Sequence, residues 1–262
     1  MSLLQARRDR RGPIAGLNPV AKLGAAVLIG APLILTIDWV SAATALVLEA
    51  VLFVFAGLTW REFWTRTAPV WIAAPLTAVT IALYGAVDGQ IYVEWFLIRI
   101  SDGSLALALA TFFRVLAIGL PAVVLFVTVD PTDLADGLAQ ILRLPGRFVL
   151  GALAGMRLIG LLTDDWRALA LARRARGVAD QGRIRRFLGM AFALLVLSIR
   201  RGSKLATAME ARGFGGPGDR TWARESRFGA REWALLAAGA LIAAIAVAVS
   251  VATGSWTSIL GR

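Results

Sequence analysis

The chain has no cysteine and no histidine in 262 residues. Without thiols there is no disulfide framework and no thiolate metal site. Without imidazole there is no side chain of near-neutral unperturbed pKa to serve as base or metal ligand. Acidic residues are scarce as well, 17 against 28 lysines and arginines, and Glu49 is the one carboxylate well inside a long apolar run. An intramembrane enzyme needs acid, base or metal-binding groups that converge, so this composition serves that class poorly. The pattern G-x-x-x-x-G-K-[ST] does not occur, which excludes ATP binding through a P-loop. We therefore expect no catalytic residue, no cofactor and no bound metal.

What is present is apolar surface. Hydrophobic residues make up 58% of the chain and the mean hydropathy is +0.71, values that make a bilayer the natural solvent for much of it. Apolar runs of spanning character cover residues 23–37, 40–58, 68–87, 105–129 and 233–252. The basic opening followed by an apolar run has the outline of a signal peptide, but further spans follow it and it reads as a retained first span. Runs 148–162 and 187–199 are shorter and bounded by charge, which marks amphipathic helices at an interface or packed on protein.

Charge in the connections sets orientation. Arg7, Arg8, Arg10, Arg11 and Lys22 stand against Asp9 before the first run, and Arg61 and Arg66 against Glu62 after the second. Segment 88–103 is acidic instead, with Asp88, Glu94 and Asp102 against Arg99. Segment 130–232 then carries 18 basic and 10 acidic residues. This alternation gives a cytoplasmic N-terminus and an external C-terminus. The excess of +11 thus records topology and attraction to anionic lipid, and no nucleic-acid partner is expected. The fold class is an all-α polytopic membrane protein with about five transmembrane helices. Residues 1–129 form a membrane domain of four spans, 130–230 a cytoplasmic domain of three helices, and 231–262 the last span and tail.

Three helices are legible in the insert. Asp130 as N-cap, Pro131 at the first helical position and Asp133 in the first turn open one, so the row Asp130, Asp133, Asp136 reads as a helix start and not as a metal site. Leu134, Leu138, Ile141 and Leu142 recur along it at helical spacing. A second runs over 147–176 and a third over 185–212, where "GFGGPG" stops it. Asp164 and Asp165 are expected to pair with Arg167 or nearby arginines. Glu49 and Arg114 both lie within spans, and pairing with each other is the cheapest solution.

The second and third helices each end in Ala-Arg-Gly: Ala175, Arg176, Gly177, and then Ala211, Arg212, Gly213. One such tripeptide is an ordinary helix stop, with Gly past the end and Arg complementing the dipole. Two copies at consecutive long helices on one membrane face form a pair of basic tips. Ala permits close approach, Gly frees the end, and Arg offers a planar five-donor fork for carboxylates. Leu205, Ala208, Met209 and Arg212 fall at i, i+3, i+4 and i+7, an apolar strip beneath the second arginine.

"LNPVAKL", "TVDPTDLADGLAQILRLPGR", "GMRLIGLLTDDWRALALARRARG" and "SIRRGSKLATAMEARGFG" resemble, in this order, the transmembrane T component of energy-coupling factor (ECF) transporters, the CbiQ/EcfT family. The paired Ala-Arg-Gly motifs carry most of the specificity. The resemblance implies a scaffold in a prokaryotic cytoplasmic membrane, between two ABC-type ATPase subunits and a small substrate-binding membrane (S) subunit. It implies that Ala175, Arg176 and Gly177 dock in one ATPase and Ala211, Arg212 and Gly213 in the other, with Leu205, Ala208 and Met209 supporting the contact. The coupling helices would pass ATP-driven motion to the S subunit, which chooses the vitamin or metal. The alternative is a membrane scaffold that anchors a cytoplasmic partner without transport.

Overall fold

The computed structural model describes residues 12–86, 88–95, 98–177, 182–216, 221–222 and 224–256. The arginines expected to set orientation at positions 7, 8, 10 and 11 lie outside these. The elements in chain order are α1 (Pro19–Leu35), α2 (Trp39–Phe55), α3 (Trp60–Tyr84), β1 (Ile91–Trp95), β2 (Ile98–Ser101), α4 (Asp102–Val127), α5 (Pro131–Gln140), α6 (Gly146–Ala175), α7 (Arg183–Ala211) and α8 (Ala230–Ala252). They fall into two compact units, one of Met1–Leu134 with Ser226–Arg262, the other Ala135–Glu225.

In the first unit α1, α2, α4 and α8 pack around small side chains: Ala21, Ala25, Ala42, Ala45, Ala117 and Ala246 are all buried. Lipid supplies no hydrophobic drive between spans, so close packing has to hold them together. A Cβ on Gly239 of α8 would come 3.1 Å from the Ala25 carbonyl oxygen of α1, which is how closely these two backbones approach. α3 packs on α4 through Ala74, Leu116 and Leu120. By length and apolarity α3, α4, α6 and α8 could each cross a membrane. Helices α1 and α2, 17 residues each, are about 26 Å long and slightly short of a ~30 Å hydrocarbon core.

The start of α1 is tied to the start of α8. Asn18 caps α1 by accepting from the Val20 amide (3.0 Å), and its own amide group donates to Ser226 Oγ (2.9 Å) and the Arg227 carbonyl (3.0 Å). Glu232 closes the knot, accepting from the backbone N–H of Asn18 (3.3 Å) and of Gly229 (2.9 Å). Lys22, fully buried, donates to the Ala15 carbonyl (2.9 Å) and to Thr128 Oγ1 (2.8 Å).

Two local expectations are corrected and one connection gains structure. The basic stretch around Arg61 and Arg66, read as a turn, is the beginning of α3. A capping box starts the helix there, with Glu62 N–H donating to Thr59 Oγ1 (3.3 Å) and Thr59 N–H to Glu62 Oε2 (3.2 Å). The acidic connection 88–103 contains an antiparallel hairpin, with Glu94 opposite Arg99 and their side chains 3.1 Å apart. Glu49 and Arg114 do not pair. Arg114 of α4 donates to the carbonyl of Thr36, in the turn between α1 and α2. Glu49 lies further along α2, about 12 Å past Ser41 at 1.5 Å per residue, fully buried and, among the described residues, with no hydrogen-bond partner on either carboxyl oxygen.

Two substitutions separate these roles. Glu49→Leu removes an unpartnered buried polar group and should leave thermal stability in detergent unchanged or raise it by about 1–3 kcal/mol. Arg114→Leu orphans the Thr36 carbonyl and should lower stability by a similar ~1–3 kcal/mol. A melting series on the two variants checks both, and a large loss in Glu49→Leu would show a partner that the packing does not reveal.

Candidate partner-docking tips

The second unit builds the site from two long helices. At its base, Ala135 and Ala139 of α5 bury against Val149 of α6, with Leu138, Leu153 and Trp222 around them. As the sequence suggests, Asp130 opens α5 by accepting from the Thr132 amide at 2.8 Å. Helices α6 and α7 meet through Trp166 and Phe187, ring centroids 5.7 Å apart. They also share an ion pair between Asp165 and Arg201, Oδ2–Nη1 2.5 Å and Oδ1–Nη2 3.0 Å. That link, one hydrogen bond beside one close charge contact, is the arginine partner Asp165 was expected to find nearby, on α7 and not on its own helix. Asp164 faces Arg167 one turn on, at 3.7 Å.

Both Ala-Arg-Gly tripeptides end their helices in the same way. Ala175 and Ala211 are the last helical residues, and Arg176 (φ −85°, ψ 1°) and Arg212 (φ −93°, ψ 13°) are the C-caps. Gly177 and Gly213 turn left-handed with φ +70° and +78°. At the second tip Phe214 N–H donates to the Met209 carbonyl (3.0 Å) and Gly213 N–H to Glu210 (2.9 Å), the paired bonds of a Schellman motif. At the first, Gly177 N–H donates to the Arg174 carbonyl at 3.0 Å. No atom lies within 4 Å of where a Cβ would stand on either glycine. They serve the backbone turn, which a side chain would strain, and not a tight fit.

Arg176 and Arg212 are exposed, as are Ala175 and Ala211. Among the described residues neither guanidinium makes a hydrogen bond or an ion pair. The surroundings differ: Arg173 and Arg174 reinforce the first tip, whereas Glu210 stands beside the second. Leu205 and Met209 are half-buried and Ala208 exposed, so the expected strip lies along α7 as far as its arginine. The first tip ends α6 and the second ends α7, a helix of 29 residues and about 43 Å.

One feature escaped the sequence reading, and a second gives the amphipathic run 187–199 its exposed face. Phe214, half-buried just past the second glycine, completes that turn, and Gly215 repeats the left-handed conformation at φ +84°. The "GFGG" spelling held that signal but read only as a stop. The second feature is an exposed apolar face on α7, where Ile184, Leu188, Phe192, Leu195 and Ile199 recur at helical spacing with Phe192 69% exposed. Such a face in a folded protein marks an interaction surface.

Residues 11–222 match the family model described as CbiQ, cobalt transport protein. The chain is 30% identical to the energy-coupling factor transporter transmembrane protein EcfT 1 of Listeria monocytogenes, over 79% of this chain and 82% of that one. It is 28% identical to the EcfT protein of Limosilactobacillus fermentum over 70% and 73% of the two chains. With the EcfT protein of Listeria innocua it shares 26% identity over 87% and 91%.

If the glycines serve the turn alone, Gly177→Ala and Gly213→Ala should each destabilise their own helix end by about 1–2 kcal/mol. Hydrogen exchange is the measurement: amides of the last turn should lose protection by roughly 5- to 30-fold, with the middles of α6 and α7 unchanged. Equal protection in wild type and variants would mean that the ends are held by something other than this backbone turn.

Proposed function

Since the chain belongs to the CbiQ family of cobalt transport proteins and its curated relatives are transmembrane components of ECF transporters, we propose that it is the coupling scaffold of such an importer, with α6 and α7 as levers and the two Ala-Arg-Gly ends as their handles. Each tip enters a carboxylate-lined groove on one of two ABC-type ATPase subunits. Ala175 and Ala211 admit the groove wall, and Arg176 and Arg212 fill it with bidentate, charge-assisted hydrogen bonds. The positive-inside bias assigns segment 130–230 to the cytoplasm, where those partners are.

The observation that carries this reading is the unspent arginine pair. Two exposed guanidiniums, each on the C-cap of its own long helix before a left-handed glycine, suit two separate partner subunits better than one. Closure of the ATPases on ATP would draw the tips together. Helices α6 and α7, joined at Asp165–Arg201 and Trp166–Phe187, would turn that displacement into a change of the angle between them. The exposed apolar face of α7 is where a substrate-binding membrane subunit would rest, tilting with the lever to release its cargo inward. Cargo choice belongs to that subunit. This chain supplies no bond-making step; its work is mechanical.

Co-expression with candidate ATPase subunits tests the assignment. Wild type should retain two ATPase subunits in detergent. Arg176→Glu with Arg212→Glu should lose them, because each desolvated arginine–carboxylate pair is worth about 2–5 kcal/mol when one partner is removed. The double variant must keep its melting temperature for the loss to count. Equal retention would reduce the tripeptides to helix ends, and retention without ATP-dependent substrate uptake in the full complex would favour a scaffold that does not transport.

A further inference from the structure

A groove of about 800 Å³ runs down the first unit between α2, α8 and the segment preceding α1. Its walls are apolar, with Ile14, Leu48, Val51, Ala238 and Ile245 among them, and among the described residues Arg231 at one end is the only charged one that lines it. Val51, Phe55 and Leu241 are exposed along its rim, so it opens sideways, toward whatever surrounds α2 and α8. Helix α8 is long and apolar enough to cross a membrane and α2 is a shorter apolar helix, so a bilayer around them would place hydrocarbon against the groove.

The dimensions fit a lipid chain. From Arg231 to Ile245 the wall of α8 is about 21 Å long at 1.5 Å per residue, enough to pass from headgroup level through one leaflet of a ~30 Å core. The level of the charged end is fixed independently. Trp233, exposed, meets Phe228 edge-on at 5.5 Å, and exposed tryptophan beside a helix start is an interfacial anchor.

Arg231 gives the occupant its charge. Its neighbour Glu232 feels the guanidinium charge without an ion pair to it, because its carboxylate accepts from the N–H groups of Gly229 and Asn18. Among the described residues Arg231 itself has no hydrogen bond or ion pair. We propose that this groove is a binding site for one anionic phospholipid, an acyl chain lying between α2 and α8 and the headgroup phosphate on Arg231. The site is independent of the tips and of the transport reading.

Photo-crosslinking of the full-length chain in vesicles tests it. Diazirine-acyl phosphatidylglycerol and the matching phosphatidylcholine are compared in wild type, Arg231→Gln and Ala238→Trp. In wild type the phosphatidylglycerol probe should label the α2 and α8 peptides lining the groove above the exposed face of α3 around Ile72 and Leu76. Its preference over phosphatidylcholine there should be about fivefold, what one arginine near the surface confers on an anionic headgroup. Arg231→Gln should equalise the two lipids and Ala238→Trp should abolish groove labelling. Val51→Trp, from the opposite wall, should do the same, so a folding defect in one variant does not decide the result. Uniform labelling of groove and α3 would mean annular lipid only and would overturn the proposal. So would equal labelling by both lipids in wild type, or cross-linking of α8 to a second copy of the chain in place of lipid.

Discussion

A protein in a bilayer must satisfy its own polar groups, because hydrocarbon offers them no partner. In this chain the constraint is prepared at the membrane surface, where the polar groups that begin α1 and α8 are tied to one another before the two helices enter the hydrocarbon. Asn18 spends its whole side chain there, its oxygen on the first turn of α1 and its nitrogen on Ser226 and the Arg227 carbonyl. Glu232 answers from α8, 214 residues away. Helix caps are normally local devices worth about 1 kcal/mol. Here two of them interlock, so that neither helix can start correctly without the other in place. The knot thereby sets the last helix beside the first, and the Ala25–Gly239 approach follows along the same pair. Lys22 extends the idea by one turn, bringing the end of α4 to the segment before α1 through Thr128 and Ala15.

The sequence made the helices legible because their signals are redundant. α5 is marked by Asp130, Pro131 and its leucine spacing together, and it begins where those residues place it. The ends of α6 and α7 were equally plain, since Gly after a basic last turn is a strong stop. What stayed hidden depended on partners far along the chain. "LNPVAKL" shows a capping asparagine, but nothing in it points to Ser226 or Glu232. Arg114 looked like a match for Glu49 because charge was the only criterion; the folded chain offered it the Thr36 carbonyl instead. The Thr59–Glu62 capping box was present in the spelling. Arg61 and Arg66 masked it, because positive charge near a span suggests a connection even where a capped helix has already begun.

The tips owed their visibility to repetition, and their geometry explains why repetition matters. A cap alone would tolerate wide variation: Gly with Lys, Asn with Arg, or a proline stop. Both ends instead keep a methyl side chain on the last helical residue and the guanidinium on the cap residue. In both, a left-handed glycine with open space around it carries the chain away. The same three residues are therefore presented twice in the same local frame, once at the end of α6 and once at the end of α7.

The backbone turn also settles what the arginines are not for. A basic side chain near a helix C-terminus usually has work to do at home, bonding the last carbonyls. At the second tip the carbonyls of Met209 and Glu210 already accept from Phe214 and Gly213, and at the first that of Arg174 accepts from Gly177. The glycine turn has taken over the capping, so Arg212 and Arg176 are left with only the diffuse attraction of the dipole. A guanidinium is weakly hydrated and rigid in its fork, hence cheap to desolvate and to orient on a carboxylate. Helix ends that needed their arginines for stability would lose that stability on giving them to a partner. Ends capped by glycine give them up at no cost to the helix, and two long levers can then be gripped without being unwound.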